Sequence, residues 1–144
     1  MIKDNGKGMS QDFLAKVTDP WTTTRTTRKV GIGLPLIKMN TELCGGGMNI
    51  ESEVGKGTTL RFWFQHDHID RAPMGDIAGT IVMLCAQHED IHYIYRHITD
   101  NGEYTFDTNE VKEALDGMSM NDINIIKYLK EMIQENLEEI GYNE

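Results

Sequence analysis

An α+β fold is predicted for this chain, because signals for short strands joined by tight turns occur alongside signals for amphipathic helices. Glycine-containing turns at residues 54–57 and 100–102 each separate two runs of alternating polar and apolar residues, which is typical of β-hairpins. A third observation is an apolar stripe with helical spacing from about Asn121 onward. Its members are Ile126, Leu129, Ile133, Leu137 and Ile140.

The chain opens with a strand and a glycine loop. Ile2 belongs to a short strand that leads into the sequence DNGKGM, residues 4–9. Ser10 has a side chain suited to capping the helix that follows. Asp19-Pro20 is expected to end that helix, because the residue before a proline avoids helical geometry. The apolar face of the helix consists of Phe13, Leu14 and Val17.

A second helix is predicted from Leu34, with Pro35 in the first turn, where proline is tolerated. Three glycines at residues 45–47 end it. Its apolar stripe consists of Leu36, Met39 and Leu43, with Ile37 and Cys44 beside it. A hairpin over about residues 48–64 follows. One face of its second strand carries Thr58, Leu60, Phe62 and Phe64.

The second half of the chain has a different organisation. A polar connector places a boundary near residue 67, so domains over residues 1–66 and 67–144 are expected. Residues 77–87 form an apolar stretch whose alanine and methionine content favours a helix. Asp107 and Glu110 have the spacing of a capping box for a short helix over residues 109–115. The histidines expected on the surface of this half are His88, His92 and His97.

The 144 residues carry a net charge of −9, which is concentrated in the second half. Residues 1–72 hold ten Lys and Arg against eight Asp and Glu, whereas residues 73–144 hold four against fifteen. This distribution argues against binding to nucleic acids or anionic membranes and concentrates any anion-binding capacity in the first half. No apolar stretch of about 18 residues is present, and the N-terminus lacks a signal-peptide pattern. Cys44 and Cys85 stand apart, so a reduced, cytoplasmic protein is expected.

The segment TTTRTTRKVGIGLPL, residues 22–36, has the composition of a phosphate-binding site. A helix start offers unpaired N–H groups and the positive end of the helix dipole, and glycines ahead of it let an anion approach closely. Gly31 and Gly33 stand at this position. The hydroxyls and cations before them come from Thr22, Thr23, Thr24, Arg25, Thr26, Thr27, Arg28 and Lys29. The alternative is a solvated loop before a glycine turn.

Four motifs in order within residues 2–64 resemble the ATP-binding domain of the GHKL superfamily, which comprises gyrase, MutL, the Hsp90 chaperones and the histidine kinases. DNGKGM resembles its first glycine box, VGIGLPL at residues 30–36 its second, and GKGTTLRFWF from Gly55 its closing hairpin. Asp19-Pro20-Trp21 resembles the DPF that histidine kinases place ahead of a threonine-rich lid. The resemblance implies a Bergerat-type sandwich with helices on one face of a mixed sheet, followed by a small α+β extension.

The resemblance also implies roles for individual residues in binding adenine. Asp4 would accept a hydrogen bond from the adenine amino group, and Thr58 would support Asp4 through a water. Gly6 and Gly8 would let the loop pass close to the base, and Met9 would pack on it. From the residues alone, Asp4 as the cap of its own turn and Thr58 as an ordinary strand residue are the alternatives.

The same resemblance places the triphosphate at the second glycine box. Residues 22–29 would lie near it, and Gly31, Gly33 and Leu34 would contact it through backbone N–H groups. The helix that carries the Mg²⁺-binding asparagine in this superfamily would precede the first glycine box, so no metal ligand is assigned among these residues. A truncated domain with weak or no activity alone is therefore expected, with ATP and Mg²⁺ as cofactors.

Two kinds of function follow. The first is an ATPase or phosphotransferase acting on a phosphoacceptor protein, as implied by a similarity to bacterial histidine-kinase-like ATPases and anti-sigma-factor serine kinases. The second is a non-catalytic regulatory module, in which nucleotide orders the lid and the acidic second half contacts a protein partner. An unpaired strand edge also favours a homodimer. His66, His68 and Asp70 are interpreted as a polar linker rather than a metal cluster.

Overall fold

The computed structural model describes residues 1–22 and 31–142. The chain divides into two compact units, Met1–Ala72 and Pro73–Glu144. This division and the predicted boundary both fall in the polar segment HDHIDRAPMGD, residues 66–76. Both units combine helices with antiparallel strands, so the predicted α+β class is confirmed.

The first unit contains a three-stranded sheet in the order β1-β3-β2. The strands are β1 (Ile2–Asp4), β2 (Gly47–Glu53) and β3 (Gly57–Trp63). Within the described residues every strand pair of this sheet is antiparallel, where the resemblance had implied a mixed sheet. The short turn between β2 and β3 permits only antiparallel pairing, and β1 pairs in the same sense with the other edge of β3.

The strand register places three polar side chains side by side at one end of the sheet. Asp4 lies opposite Thr58 in the β1–β3 pair, and Thr58 lies opposite Ser52 in the β2–β3 pair. Directly opposed residues point to the same face of a sheet. The predicted alternation of β3 is confirmed along this face, because Leu60 is buried and Phe62 is half-buried.

Two helices belong to this unit, α1 (Gln11–Leu14) and α2 (Gly33–Leu43). Ser10 caps α1 as predicted, since its Oγ accepts a hydrogen bond from the Phe13 N–H at 3.3 Å. The helix ends earlier than Asp19-Pro20, however. The Lys16 N–H bonds to the Phe13 carbonyl three residues back at 3.0 Å, so the chain continues in tight turns rather than as an α-helix.

The apolar stripe that predicts α2 is its exposed face. Leu36, Met39 and Leu43 are 48%, 50% and 62% exposed. The buried positions at the end of this helix are Thr41, whose hydroxyl donates to the Lys38 carbonyl at 2.8 Å, and Cys44. Helical periodicity therefore gives the correct element but not the face that the rest of the unit covers.

The described residues of the second unit combine a β-hairpin with helices at the predicted positions. The elements are α3 (Ile77–Gln87), β4 (Ile94–Thr99), β5 (Gly102–Asp107), α4 (Thr108–Leu115) and α5 (Ile123–Glu139). The predicted stripe of α5 forms part of the core, because Leu129, Ile133 and Leu137 are buried. Asp107 caps α4 by accepting from the Asn109 N–H at 2.7 Å, and this bond is the main reason that the pKa of Asp107 is lowered.

The prediction that all three histidines of the hairpin region lie on the surface is wrong for one of them. His88 and His92 are exposed, but His97 is half-buried. Its Nδ1 lies 2.8 Å from the Tyr95 hydroxyl, and its ring packs edge-on against Tyr142 with 4.7 Å between centroids. Burial lowers the pKa of His97, because the charged imidazolium loses hydration there.

The two cysteines, Cys44 and Cys85, are free and buried. Burial raises the pKa of the Cys85 thiol to about 11, so this group stays protonated at neutral pH. Among the described helices, none has both the length and the apolar character that a membrane crossing requires.

Candidate functional site

The first glycine loop, residues 4–9, leaves the end of β1 and is shaped by its own carboxylate. Asp4 Oδ1 accepts a hydrogen bond from the Gly6 N–H at 2.8 Å, so Asp4 does cap its turn. The carboxylate is exposed at the end of the sheet, and an ionised carboxylate accepts several hydrogen bonds. Its other acceptor sites therefore leave room for a ligand.

The loop is docked on the hairpin turn, residues 53–57, through backbone contacts. The Gly55 N–H donates to the Lys7 carbonyl at 2.8 Å. Gly8 has φ +67°, and a Cβ added to it would lie 1.9 Å from the Glu53 carbonyl oxygen. A Cβ on Gly57 would likewise lie 2.0 Å from the Asp4 carbonyl oxygen. The two glycines are therefore required where the loop and the turn meet.

Ser52 lies at the centre of the contacts between the loop and the sheet. Its Oγ accepts a hydrogen bond from the Met9 N–H at 2.9 Å and donates to the Gly57 carbonyl at 3.0 Å. The Thr58 hydroxyl lies 2.9 Å from the same oxygen. We did not predict a role for Ser52. The period-2 alternation of the hairpin could have identified it, because it puts Ser52 opposite Thr58 on one face.

Five residues predicted to bind adenine are therefore brought together by the fold. Asp4 and Thr58 are opposed on neighbouring strands, and Met9 is tied to Ser52, which is bonded to Thr58. Met9 and Thr58 are half-buried, whereas Asp4 is exposed. The predicted set is Asp4, Gly6, Gly8, Met9 and Thr58. This end of the sheet presents carboxylate and hydroxyl oxygens beside a half-buried methionine, which suits a flat ligand carrying hydrogen-bond donors.

The second predicted cluster lies at the start of α2. The helix begins at Gly33 after Ile32, whose side chain cannot accept a hydrogen bond, and its first turn has no acidic residue. Leu34 follows in the first turn, where helix N–H groups lack intrahelical partners. Just before the helix, the Gly31 N–H, which was predicted to contact the triphosphate, instead donates to the Pro20 carbonyl at 3.0 Å, so among the described residues here only the N–H groups of the first helical turn remain for an anion. This arrangement suits an anion more than a cation.

The basic loop, residues 22–29, is only partly described. The Thr22 N–H donates to the Asp19 carbonyl at 2.9 Å, and the Trp21 N–H donates to the Asp19 carboxylate at the same distance. These bonds form the turn that leads into the loop. The predicted phosphate-binding residues that lie outside the described residues are Thr23, Thr24, Arg25, Thr26, Thr27, Arg28 and Lys29.

The described residues do not supply a metal site. Across residues 1–22 and 31–142, no three His, Cys, Asp or Glu side chains are grouped so that they could hold a metal ion. His68 Nδ1 accepts the Asp70 N–H at 3.2 Å and lies 3.8 Å from the Asp70 carboxylate, so this pair stabilises a turn. The Mg²⁺ implied by the resemblance thus finds no such cluster among these residues.

Comparison with known proteins finds a protein family that this part of the chain matches. Residues 1–68 match the family described as histidine kinase-, DNA gyrase B-, and HSP90-like ATPase. The chain is 30% identical over 104 residues to sensor kinase CckA of Brucella abortus, which covers 62% of this chain and 11% of CckA. It is 31% identical over 74 residues to sensor histidine kinase ZraS of Escherichia coli. This match covers 51% of this chain and 16% of ZraS.

A third relative is sensor protein SrrB of Staphylococcus aureus, which is 40% identical over 64 residues that cover 41% of this chain and 11% of SrrB. The chain therefore spans between about a tenth and a sixth of the length of these curated relatives. No solved structure matches the chain significantly.

Proposed function

We propose that residues 1–68, which match the histidine kinase-, DNA gyrase B- and HSP90-like ATPase family, bind ATP. The adenine would lie at the first glycine loop and the triphosphate at the start of α2. The observation that carries the proposal is the docking of the loop on the hairpin turn, which leaves the Asp4 carboxylate opposite Thr58 at the open end of the sheet.

The adenine end is supported by the chemistry of these two side chains. The Asp4 carboxylate can only accept hydrogen bonds, and the adenine amino group can only donate them at this position. A guanine base offers a carbonyl oxygen at the corresponding position, which the carboxylate repels. Met9 is held next to Ser52, the neighbour of Thr58, by its N–H bond to the Ser52 hydroxyl, and we propose that its half-buried side chain packs on the face of the base.

The phosphate end is supported by the start of α2. Backbone N–H groups in the first turn and the helix dipole both favour an anion, and Gly33 leaves open space, since a Cβ there would meet nothing within 4 Å. The cations of the basic loop, Arg25, Arg28 and Lys29, stand between Thr22 and the start of α2 in the sequence. We propose that these cations contribute positive charge near the triphosphate.

The activity of a longer protein containing this domain would be phosphoryl transfer to a protein, in line with the sensor kinases to which the chain is similar. A bound Mg²⁺ would supply charge neutralisation for that step. The residues of this chain would bind and orient the nucleotide. We expect binding with little or no turnover by these 144 residues alone, because the resemblance assigns the Mg²⁺-binding asparagine to none of them.

Isothermal titration of the 144-residue chain with ATP, in the presence of Mg²⁺, tests the proposal. We expect a saturable heat that corresponds to a single nucleotide per chain, and a much weaker response to GTP. A basic-loop variant, with Arg25, Arg28 and Lys29 changed to glutamine, should bind more weakly and with less dependence on salt. The absence of saturable heat up to millimolar ATP would contradict the proposal.

A second candidate function, assembly with another protein, is favoured by the exposed face of α2. A groove of about 630 Å³ runs beside this helix, with Leu36, Met39 and Leu43 among its lining residues. Lys38 and Glu42 also line it. In a two-fold antiparallel pair of α2 helices, each Lys38 would face Glu42 of the other copy, so we propose a second copy of this chain as the occupant.

A charge-swap experiment tests this self-association. Light scattering is expected to show a concentration-dependent dimer for the unaltered chain. Lys38→Glu should weaken it, because two glutamates then face each other, and the double variant Lys38→Glu with Glu42→Lys should restore it. This pairing would be ruled out if the unaltered chain stayed monomeric at all concentrations, or if the double variant dimerised as weakly as Lys38→Glu.

A further inference from the structure

We propose that Ser52 determines the base specificity of the nucleotide site by fixing the direction in which the Thr58 hydroxyl points. This inference rests on the proposed function and concerns the same site. It assigns Ser52 as a positioning residue, which acts through Thr58 and Met9 rather than by touching the nucleotide.

The Ser52 hydroxyl carries a single proton, and its neighbours determine where that proton points. The Gly57 carbonyl, 3.0 Å from Ser52 Oγ, can only accept a hydrogen bond, so the Ser52 proton lies between these two oxygens. Ser52 Oγ also accepts from the Met9 N–H at 2.9 Å. The Thr58 hydroxyl, 2.9 Å away, must then donate to Ser52 rather than accept from it.

The polarity of Thr58 follows from this chain of hydrogen bonds. With its proton committed to Ser52, Thr58 Oγ1 presents only lone pairs to its other neighbours. Asp4 lies directly opposite Thr58 in the strand register, on the same face of the sheet, where opposed Cβ atoms are about 4.5–5.5 Å apart. The site thus offers a carboxylate and a hydroxyl that both act as acceptors.

Two adjacent acceptors select a ligand edge that carries donors. An amino group, or a water that donates to both oxygens while it bridges to the base, satisfies them, whereas a carbonyl oxygen leaves both unpaired. In the proposed pose the 6-position of the base faces these two oxygens, where adenine carries an amino group and guanine a carbonyl oxygen, so adenine matches them there and guanine does not. Asp4 and Ser52 thus contribute differently to base selection: Asp4 supplies a fixed acceptor, and Ser52 converts a hydroxyl that could act either way into a second acceptor.

The same oxygen also holds the loop. The Met9 N–H has Ser52 Oγ as its acceptor, across 43 residues of sequence. Loss of this acceptor would free the end of the first glycine loop beside the base. Ser52 therefore couples the position of Met9 to the orientation of Thr58, because both groups bond to a single atom.

The test compares Ser52→Ala, Ser52→Thr and Thr58→Val by titration with ATP and with GTP. We expect Ser52→Ala to weaken ATP binding by about tenfold and to reduce the ATP-to-GTP affinity ratio by a similar factor. Ser52→Thr keeps a hydroxyl on a residue suited to strands, so it should retain both the ATP affinity and the ATP-to-GTP affinity ratio of the unaltered chain. Thr59→Ala, which alters the next residue of β3 on the opposite face, is the matched control and should leave the ratio unchanged.

A double-mutant cycle separates specificity from general damage. If Ser52 acts through Thr58, Thr58→Val should remove most of the selectivity, and adding Ser52→Ala to it should lower the affinity ratio little further. Ser52→Ala with an unchanged ATP-to-GTP ratio would overturn the inference while leaving ATP binding in place. Additive losses in the double variant would overturn it as well.

A second measurement does not depend on nucleotide. Hydrogen exchange in the nucleotide-free chain should show a protected Met9 amide that becomes at least tenfold faster in Ser52→Ala but not in Thr59→Ala. Equal exchange in the two variants would overturn the role of Ser52 in holding the loop. If the unaltered chain bound no ATP, the proposed function and the specificity role would both fall, and the exchange data would show whether the structural contact exists.

Discussion

Replacing Asp4 with asparagine is expected to weaken ATP binding by about 100-fold, because the exchange turns an acceptor into a donor where the base presents an amino group. The loop itself should survive. Asparagine keeps Oδ1, which can still accept the Gly6 N–H that Asp4 accepts at 2.8 Å. The variant should therefore unfold at nearly the same temperature as the unaltered chain, and calorimetric titration should show the loss of affinity.

Asp122→Asn is a matched control for this substitution. Asp122 Oδ1 accepts the N–H of Asn124, two residues along the chain, at the same 2.8 Å, but it caps α5 in the other unit. Asparagine is as good a helix cap as aspartate, so both stability and ATP affinity should be unchanged. If Asp4→Asn bound ATP as tightly as Asp122→Asn does, Asp4 would be only the cap of its turn, the alternative that the sequence already offered.

Local signals predicted most of the fold because the rules behind them are local. Helix α3 has the predicted bounds, residues 77–87, and its start is fixed by Asp76, whose carboxylate accepts the Gly79 N–H at 2.8 Å. The hairpin at residues 94–107 follows from its Asp-Asn-Gly turn. Such features depend on residues within a few positions of each other.

The expectations that differ from the structure depend on distant parts of the chain. The stripe of α2 marks a helix, but which face is buried depends on what packs against it, and here Thr41 is inside while Leu43 is outside. His97 lies on the same half-buried face of β4 as Tyr95, two residues away. The alternation of the strand predicts this position, whereas the residue type alone suggested the surface. Ser52 acquires its role only when a loop 43 residues earlier in the sequence docks on it.

The candidate site was predictable in composition but not in its connections. The glycines, Asp4 and Thr58 follow from motif order, because their spacing is a property of the sequence. Their mutual geometry is set by pairing of β1 with β3, strands separated by more than fifty residues. The part of the prediction that concerns the basic loop stays a prediction, because all of its residues after Thr22 lie outside the described ranges.

Replacing Gly8 with alanine is expected to have an effect beyond the usual cost of a left-handed glycine. Gly8 has φ +67°, and its added Cβ would lie 1.9 Å from the carbonyl oxygen and 2.6 Å from the carbonyl carbon of Glu53. Both atoms belong to the backbone of the hairpin turn, so no side chain can move aside to make room. The loop must leave the turn, which breaks the Lys7–Gly55 and Met9–Ser52 hydrogen bonds.

Gly55→Ala provides the control that separates strain from displacement. Gly55 has φ +81°, but a Cβ there would meet nothing within 4 Å, and its N–H bond to Lys7 is retained. It should cost only the left-handed conformation, about 1 kcal/mol, whereas Gly8→Ala adds the clash and should cost about 3 kcal/mol in urea unfolding. Gly8→Ala should also lower ATP affinity by more than tenfold, since Asp4 and Met9 move with the loop. Equal costs for the two variants would mean that the first glycine loop does not dock on the turn, and the arrangement of Asp4 against Thr58 would lose its main structural support.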